Sequence, residues 1–181
     1  MRFSPTPIAG AWLIEAERHA DERGWFGRTF CAREFELHGL DATVAQTSVS
    51  YNRRRGTVRG MHWQAAPSEE AKLVRVTRGA ICDVIVDLRT LRTFGVELSA
   101  SEGIALYIPP GCAHGFQTLV DETEVSYQMN EYFDPSVARG ARWDDPAFDV
   151  RWPLTVSVIS QRDREWPPFA AAVRSGPASR D

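Results

Sequence analysis

The chain has 181 residues, which is the length of a single domain with a substantial buried core. Its 21 Lys and Arg residues against 24 Asp and Glu residues give a net charge of −3, so no overall basic field favours nucleic acid. Three cysteines without a Cys-x-x-Cys pair predict reduced thiols, and no apolar run is long enough to span a membrane. These features predict a cytoplasmic protein that binds neither nucleic acid nor membrane, with one domain over residues 1–169 and a flexible tail over residues 170–181.

The N-terminal 40 residues predict an arm, a loop and a short helix. Two prolines precede the apolar segment Ala11–Ile14, which favours an edge strand or an arm over a central strand. The segment Asp21–Arg28 has two glycines and a charged start, so it predicts a turn that leads into a strand. It is either a surface loop or a loop that presents Arg23 and an aromatic ring to a ligand. Cys31–His38 predicts a short helix that ends at Gly39.

The rest of the chain predicts short strands separated by turns. The predicted strands are Thr43–Tyr51, Leu73–Thr77, Ile81–Leu88, Ala105–Ile108, Phe116–Val120 and Val125–Met129. In the first of them Gln46, Ser48 and Ser50 share one face, because alternate residues of a strand point the same way. Many short strands with one small helix predict an all-β sandwich or barrel.

A row of polar side chains lies at the centre of the chain. Arg59, His62, Gln64 and Lys72 fall within fourteen residues of strand-like sequence. His62 and Gln64 are two positions apart, so they would point to the same face of a strand. A polar row on a sheet that is otherwise apolar predicts the wall of a pocket.

A second histidine lies in the segment Pro109–Phe116, where His114 completes the pattern Pro-x-Gly-x-x-His. This pattern resembles the second motif of cupin barrels, whose metal-binding members have His-x-His in their first motif. The corresponding segment here is His62-Trp63-Gln64, which lacks the second histidine. Since a mononuclear metal site normally needs three or four N or O ligands, the sequence favours a cupin-type double-stranded β-helix (a jelly-roll barrel) with a few short helices and no metal. The alternative is a metal-dependent cupin oxygenase or isomerase that uses both histidines.

Without a metal, the polar row suits proton transfer. Histidine as a residue type has an intrinsic pKa suited to a general base near neutral pH, and a lysine can stabilise negative charge on a carbonyl oxygen. Tyr127 is the phenol expected inside the barrel; it is either a core residue or an acid that returns a proton. Together these groups can remove a proton beside a ketone and replace it with inverted stereochemistry.

The chain resembles the dTDP-4-dehydrorhamnose 3,5-epimerase family from about Ile8 to Pro168. The matching segments are Asp21–Phe26, Arg59–Gln64, Lys72–Val76, Asp83–Arg89, Thr93–Gly95, Ile108–Phe116, Trp143–Pro146, Trp152–Pro153 and Ser160–Asp163. The resemblance implies an isomerase that inverts C3, C5 or both in a nucleoside diphosphate 4-keto-6-deoxyhexose, without metal or redox cofactor. It also implies a homodimer that exchanges N-terminal strands.

The same resemblance implies a set of site residues. The catalytic residues would be His62 as base, Asp163 as its orienting partner, Lys72 at the enolate oxygen and Tyr127 as the acid. Arg23 and Arg59 would bind the pyrophosphate. The other substrate-binding residues would be Phe26, Gln46, Ser48, His114 and Tyr132.

The sequence departs from the family pattern mainly at the nucleotide end. Arg28 stands where the family typically has a glutamate, and Ser48 and Asn52 replace an asparagine and a serine. These departures leave open which nucleotide and sugar are used, including a non-dTDP substrate, and whether one carbon or two are inverted. A ketoisomerase and a non-catalytic sugar-binding module are further alternatives.

Overall fold

The structure is a computed structural model that describes residues 1–172, with side chains through residue 170. Its strands are β1 (Arg2–Pro5), β2 (Trp12–Glu15), β3 (Arg18–Asp21), β4 (Gly24–Gly27), β5 (Gln46–Asn52), β6 (Thr57–Gln64), β7 (Lys72–Arg78), β8 (Ala80–Asp87), β9 (Arg92–Ser99), β10 (Ile104–Ile108), β11 (Cys112–Thr118), β12 (Thr123–Met129), β13 (Ala138–Gly140) and β14 (Val158–Ile159). Its helices are α1 (Ala32–Leu37), α2 (Gln161–Glu165) and α3 (Phe169–Ala172). Beyond residue 172, the predicted flexible tail lies outside the described residues.

Two sheets make up the body of the fold. The first sheet has the order β1-β2-β10-β7-β12-β5, and the second has the order β13-β6-β11-β8-β9. Neighbouring strands within these orders are antiparallel, while β14 pairs in parallel with β6. This mostly β architecture of two packed sheets with short helices confirms the predicted jelly-roll class.

The main core lies between the two sheets. Alternate residues of each inner strand point into it, as the period of two requires. From the first sheet come Val74, Val76, Leu106 and Val125, and from the second come Ile81, Ile85, Leu98 and Phe116, all buried in one cluster. At one end of the sandwich the inward-facing positions of the same strands are polar. Lys72 and Tyr127, which share the phase of Val74 and Val125, line a cavity there.

The predicted elements agree with the structure apart from their ends. The helix predicted at Cys31–His38 is α1, in which Cys31 and His38 are the caps. The strand predicted from Thr43 begins only at Gln46, because the Thr43 backbone N–H donates to the side chain of Asp41 and holds a turn there. The proline-bearing segment contains the edge strand β1, with Pro5, whereas the apolar strand predicted at Ala11–Ile14 is β2 and lies inside the sheet between β1 and β10.

A close approach between β6 and β11 sets the position of both candidate histidines. Gly60 has φ +139°, and a Cβ there would lie 2.6 Å from the Cα of Gly115. The two backbones can therefore meet at this point only because both residues are glycines. One step further along, His62 and His114 lie directly opposite each other on the paired strands.

Candidate active site

A cavity of about 460 Å³ opens between the two sheets. The first sheet contributes Gln46, Ser48, Lys72, Tyr127 and Met129, and the second contributes Arg59, His62, Trp63, Gln64, Ala138 and Arg139. The remaining lining residues are Glu70, Phe133, Ser160, Arg162, Asp163 and Trp166. The polar face predicted for β5 and the polar row predicted for β6 therefore border the same space.

His62 is paired with Asp163 in this cavity. The His62 Nε2 and Asp163 Oδ1 atoms are 2.6 Å apart, and the two side chains are 41% and 7% exposed. Burial would raise the pKa of Asp163, but hydrogen bonds from His62 and from the Gly60 backbone N–H hold it below its ordinary value. Asp163 is fixed by α2, whose N-cap Ser160 accepts a hydrogen bond from the Asp163 backbone N–H. An ionised carboxylate thus orients a partly accessible imidazole, which is the arrangement of a general base.

Lys72 is held by a second acidic residue. Its Nζ atom lies 2.8 Å from Glu70 Oε1, with the two side chains 15% and 11% exposed. The ammonium group therefore has a fixed position on the cavity wall and can donate to a ligand oxygen as well. Glu70 was missed by the sequence analysis, although its two-residue offset from Lys72 is a signal that the two share a face.

Tyr127 lies deeper than His62. Together with Ser50, Arg59, His62, Lys72, His114, Phe116 and Asp163, it lines a recess of about 230 Å³ that shares five residues with the main cavity. Burial raises the pKa of Tyr127, and its hydroxyl lies 3.1 Å from the Ser50 hydroxyl. The phenol therefore stays protonated at neutral pH and is available as a proton donor.

The cationic part of the cavity is built by arginines. The Arg59 Nε–H donates to Asn52 Oδ1 at 2.7 Å, and Asn52 in turn donates to the backbone oxygen of Thr123. Arg139 and Arg162 line the same cavity. Three guanidinium groups around one space favour an anionic ligand such as a diphosphate.

His114 forms a second pair, which is buried. Its Nε2 atom lies 2.6 Å from Asp83 Oδ1, and the two side chains are 7% and 0% exposed. The other carboxylate oxygen of Asp83 is buried without a hydrogen-bond partner among the described residues. His114 borders the inner recess and lies 6.4 Å from the ring of Tyr127, so it backs the recess and does not line the main cavity.

The residues present do not fit a metal centre. Within residues 1–170 no group of three or more His, Cys, Asp and Glu side chains is placed to hold an ion. The Nε2 atoms of His62 and His114 are each bonded to a separate carboxylate. The Gln64 amide bonds to the backbone of Ser68, Tyr132 and Asp134, so its role is to hold the adjacent loop.

Comparison with known proteins assigns the chain to a family. The family model of dTDP-4-dehydrorhamnose 3,5-epimerase matches residues 5–171. The chain belongs to this family. The resemblance stated from the sequence is thereby confirmed, and the family is one of isomerases that act on nucleotide sugars.

Individual relatives match over nearly their whole length. A dTDP-4-dehydrorhamnose 3,5-epimerase of Methanothermobacter thermautotrophicus is 42% identical, covering 93% of this chain and 94% of the relative. A dTDP-4-dehydrorhamnose 3-epimerase of Streptomyces niveus is 35% identical, covering 91% and 82%. The crystal structure of dTDP-4-dehydrorhamnose 3,5-epimerase from Bacillus anthracis with TDP and PPi bound has a TM-score of 0.88 and 37% identity, covering 92% of this chain and 98% of that one. The relatives of this chain therefore include enzymes named for inversion at C3 alone and enzymes named for inversion at both C3 and C5.

Three residues predicted to bind substrate line neither the main cavity nor the inner recess of this epimerase-family chain. Arg23 and Phe26 lie on the β3–β4 hairpin, where the Arg23 side chain is 84% exposed and paired with Asp21, and Phe26 is 76% exposed. Tyr132 is also exposed and does not line the cavity, whereas its neighbour Phe133 does. The hairpin residues are thus free to contact another molecule.

Several lining residues were missed by the sequence analysis of this epimerase-family member. They are Trp63, Glu70, Met129, Phe133, Ala138, Arg139, Ser160, Arg162 and Trp166. Of these, Arg162 and Trp166 flank Asp163 in and after α2, a segment without a strand pattern. Their placement depends on the docking of α2 against β6 and of Trp166 against Gly140 in β13, which no local pattern reveals.

Proposed function

We propose that the chain is an epimerase that inverts C3, C5 or both in a nucleoside diphosphate 4-keto-6-deoxyhexose, with dTDP-4-dehydro-6-deoxyglucose as substrate. The observation that carries the proposal is the placement of His62 and Tyr127 on opposite sheets, with one recess between them. A sugar ring in that recess would have a base on one face and a protonated phenol on the other. Inversion at carbon needs this arrangement.

The proposed reaction has two proton transfers. His62 removes the proton from the carbon beside the C4 ketone, and the C–H electron pair forms the enolate while the carbonyl oxygen becomes negative. Lys72 donates a hydrogen bond to that oxygen, and Asp163 stabilises the imidazolium. Tyr127 then gives its proton to the carbon from the opposite face, which restores the ketone. The steps require neither a metal nor a redox cofactor.

The nucleotide would occupy the outer part of the cavity. Arg59 is held by Asn52 and directed at this space, so it suits the diphosphate. Gln46 and Ser48 line the same region from β5 and can bond to the sugar or base. We also propose a cytoplasmic location, which the three free cysteines support. Among the described helices none is long and apolar enough to cross a membrane.

We further propose that the protein is a homodimer in which the β3–β4 hairpin of one protomer completes the partner's cavity. Support comes from the exposure of Trp25 and Phe26, which are 51% and 76% exposed at the hairpin. Large aromatic side chains and an arginine are the residue types that dominate interfaces. Arg23 would then reach the diphosphate in the second protomer.

The reaction is tested by exchange in D2O. The protein is incubated with dTDP-4-dehydro-6-deoxyglucose, and the sugar is examined by NMR and mass spectrometry. Deuterium at C3 and C5 is expected for a two-centre epimerase, and deuterium at one carbon defines a single-centre enzyme. In the Tyr127→Phe variant, release of the substrate proton should continue while formation of the inverted product falls. A well-folded protein that exchanges neither carbon contradicts the proposed activity.

The shared site is tested by mixing two inactive variants. Arg23→Ala and His62→Asn proteins are each expected to be dimers in light scattering, with little activity. A hybrid dimer contains one cavity with both residues intact, so mixing under exchange conditions should restore activity. A monomeric protein, or a mixture no more active than its parts, contradicts the proposal that Arg23 serves the partner's cavity.

A further inference from the structure

An aromatic residue that neither the motifs nor the proposed proton transfers use lies beside His62. Trp166 follows the last residue of α2, and its indole lines the main cavity. The Trp166 and His62 ring centroids are 6.3 Å apart with an interplanar angle of 64°. The indole is therefore an edge-to-face neighbour of the proposed base, on the side of the cavity that the second sheet forms.

A glycine makes room for this indole. Gly140 pairs directly with His62 across β13 and β6. A Cβ on Gly140 would lie 2.3 Å from the Cε2 atom of Trp166, so a side chain there and the indole exclude each other. Trp166 thus occupies the space beside His62 that a residue of β13 would otherwise fill. The Arg162 guanidinium, 4.8 Å from the ring centroid, also contacts the indole and restricts its movement.

The part of the ring that borders the cavity is hydrocarbon. The Trp166 Nε1 atom is buried and has no hydrogen-bond partner among the described residues. It is turned toward Gly140, since a Cβ on that glycine would lie 2.6 Å from it. The indole surface next to the proposed base therefore offers no donor or acceptor to a ligand.

We propose that Trp166 is a specificity-determining residue that selects a methyl group over a hydroxymethyl group at C6 of the sugar. The proposal rests on the proposed epimerase activity. When His62 removes the C5 proton, its nitrogen must come within about 3 to 3.5 Å of C5, and C6 is bonded to that carbon. The methyl group is the apolar substituent of a 6-deoxyhexose, and the indole is the apolar surface at His62.

A hydroxyl on C6 would be desolvated against the indole without a partner. Apolar pockets reject an added hydroxyl by roughly 100-fold, because the lost hydrogen bonds to water are not replaced. We therefore expect a preference of about 10- to 100-fold in kcat/KM for the 6-deoxy substrate. Removal of the indole should lower this preference, since water and the hydroxyl could then share the vacated space.

The test compares deuterium incorporation at C5 in two substrates, dTDP-4-dehydro-6-deoxyglucose and its analogue with a hydroxyl on C6. Wild-type protein, Trp166→Ala and Trp166→Leu are measured with each. In Trp166→Ala the ratio of the two kcat/KM values should fall at least about fivefold, whereas Trp166→Leu, which keeps an apolar wall, should retain most of it. Thermal unfolding establishes that each variant is folded.

Arg139→Ala is the matched control, because its guanidinium lines the same cavity and donates to the backbone oxygens of Ser136 and Ala138, with no contact to the indole among the described residues. Its loss should weaken binding of both nucleotide sugars alike and leave their ratio unchanged. A ratio near one in wild-type protein, or an unchanged ratio in folded Trp166→Ala, overturns the role of Trp166 while the epimerase activity stands. Exchange at C3 alone also overturns the role of Trp166 and leaves the epimerase activity standing, whereas absence of exchange at both C3 and C5 with both substrates contradicts the proposed function itself.

Discussion

The second sheet contributes the histidines of two histidine–carboxylate pairs that have the same hydrogen-bond distance and different accessibility. His62 and His114 face each other on β6 and β11, and each has its Nε2 atom 2.6 Å from a carboxylate oxygen. The His62 side chain is 41% exposed to the cavity, whereas the His114 side chain is 7% exposed. The hydrogen bond is common to both, so accessibility is what distinguishes a proposed base from a buried polar pair.

The two carboxylates also differ in how many of their oxygens accept hydrogen bonds. Asp163 receives hydrogen bonds from His62 and from the Gly60 backbone, and these keep its pKa low in spite of burial. Asp83 is fully buried, and one of its oxygens has no partner among the described residues. The His62 pair is therefore suited to hold and release a proton. The His114 pair contributes to the stability and shape of the recess.

The largest expected effect is on turnover when His62 is replaced. His62→Asn keeps a polar side chain of similar size but removes the base, so deuterium exchange should fall about 1,000-fold or more. The thermal unfolding midpoint should change little, because the replaced side chain is 41% exposed and the asparagine amide keeps an N–H donor beside Asp163. The exchange rate with dTDP-4-dehydro-6-deoxyglucose measures the first effect, and calorimetry measures the second. Appreciable exchange by this variant would remove His62 from its assigned role.

Replacement of His114 is expected to lower the free energy of unfolding more than it lowers turnover. His114→Ala leaves the buried carboxylate of Asp83 without its partner, which typically costs about 3–5 kcal/mol in the free energy of unfolding. Urea denaturation at neutral pH measures the loss. As a control, replacing both His114 and Asp83 with leucine should recover much of the stability, because no unpaired charge remains. Equal stability of the single variant and the wild type would show that the pair has no structural role.

The sequence predicted the strand-borne part of the site because strand periodicity is local information. The polar face of β5 and the alternation of His62 and Gln64 on β6 follow from a period of two, and all of these positions border the main cavity or its inner recess. Gly60 on β6 and Gly115 on β11 could not be assigned this way. Their function is to let the two strands approach closely, and that contact is not visible in local sequence.

The parts that the sequence did not reveal depend on long-range contacts. Asp163 lies 101 residues from His62 and has no strand pattern around it, so its role came only from resemblance to a family. Trp166 reaches the cavity wall because Gly140, which pairs with His62 across two strands, leaves space for the indole. The hairpin with Arg23 and Phe26 lies outside the cavity of its own chain, and the role proposed for it depends on a second protomer.

The smallest of the three effects is expected when the partner of His62 is changed. Asp163→Asn keeps the shape of the side chain but removes the charge that orients and stabilises the imidazolium, which should slow exchange about 10- to 100-fold.

The difference in the free energy of unfolding between Asp163→Asn and the wild type should depend on pH. Because the folded-state pKa of Asp163 is below its ordinary value of 3.8, the ionised carboxylate stabilises the fold above that value. This contribution is lost as the pH falls through the lowered pKa. Urea denaturation of both proteins between neutral and acidic pH should therefore show a gap that closes below about pH 3.8. A gap that stays constant over this range would mean that the charge of Asp163 does not stabilise the pair.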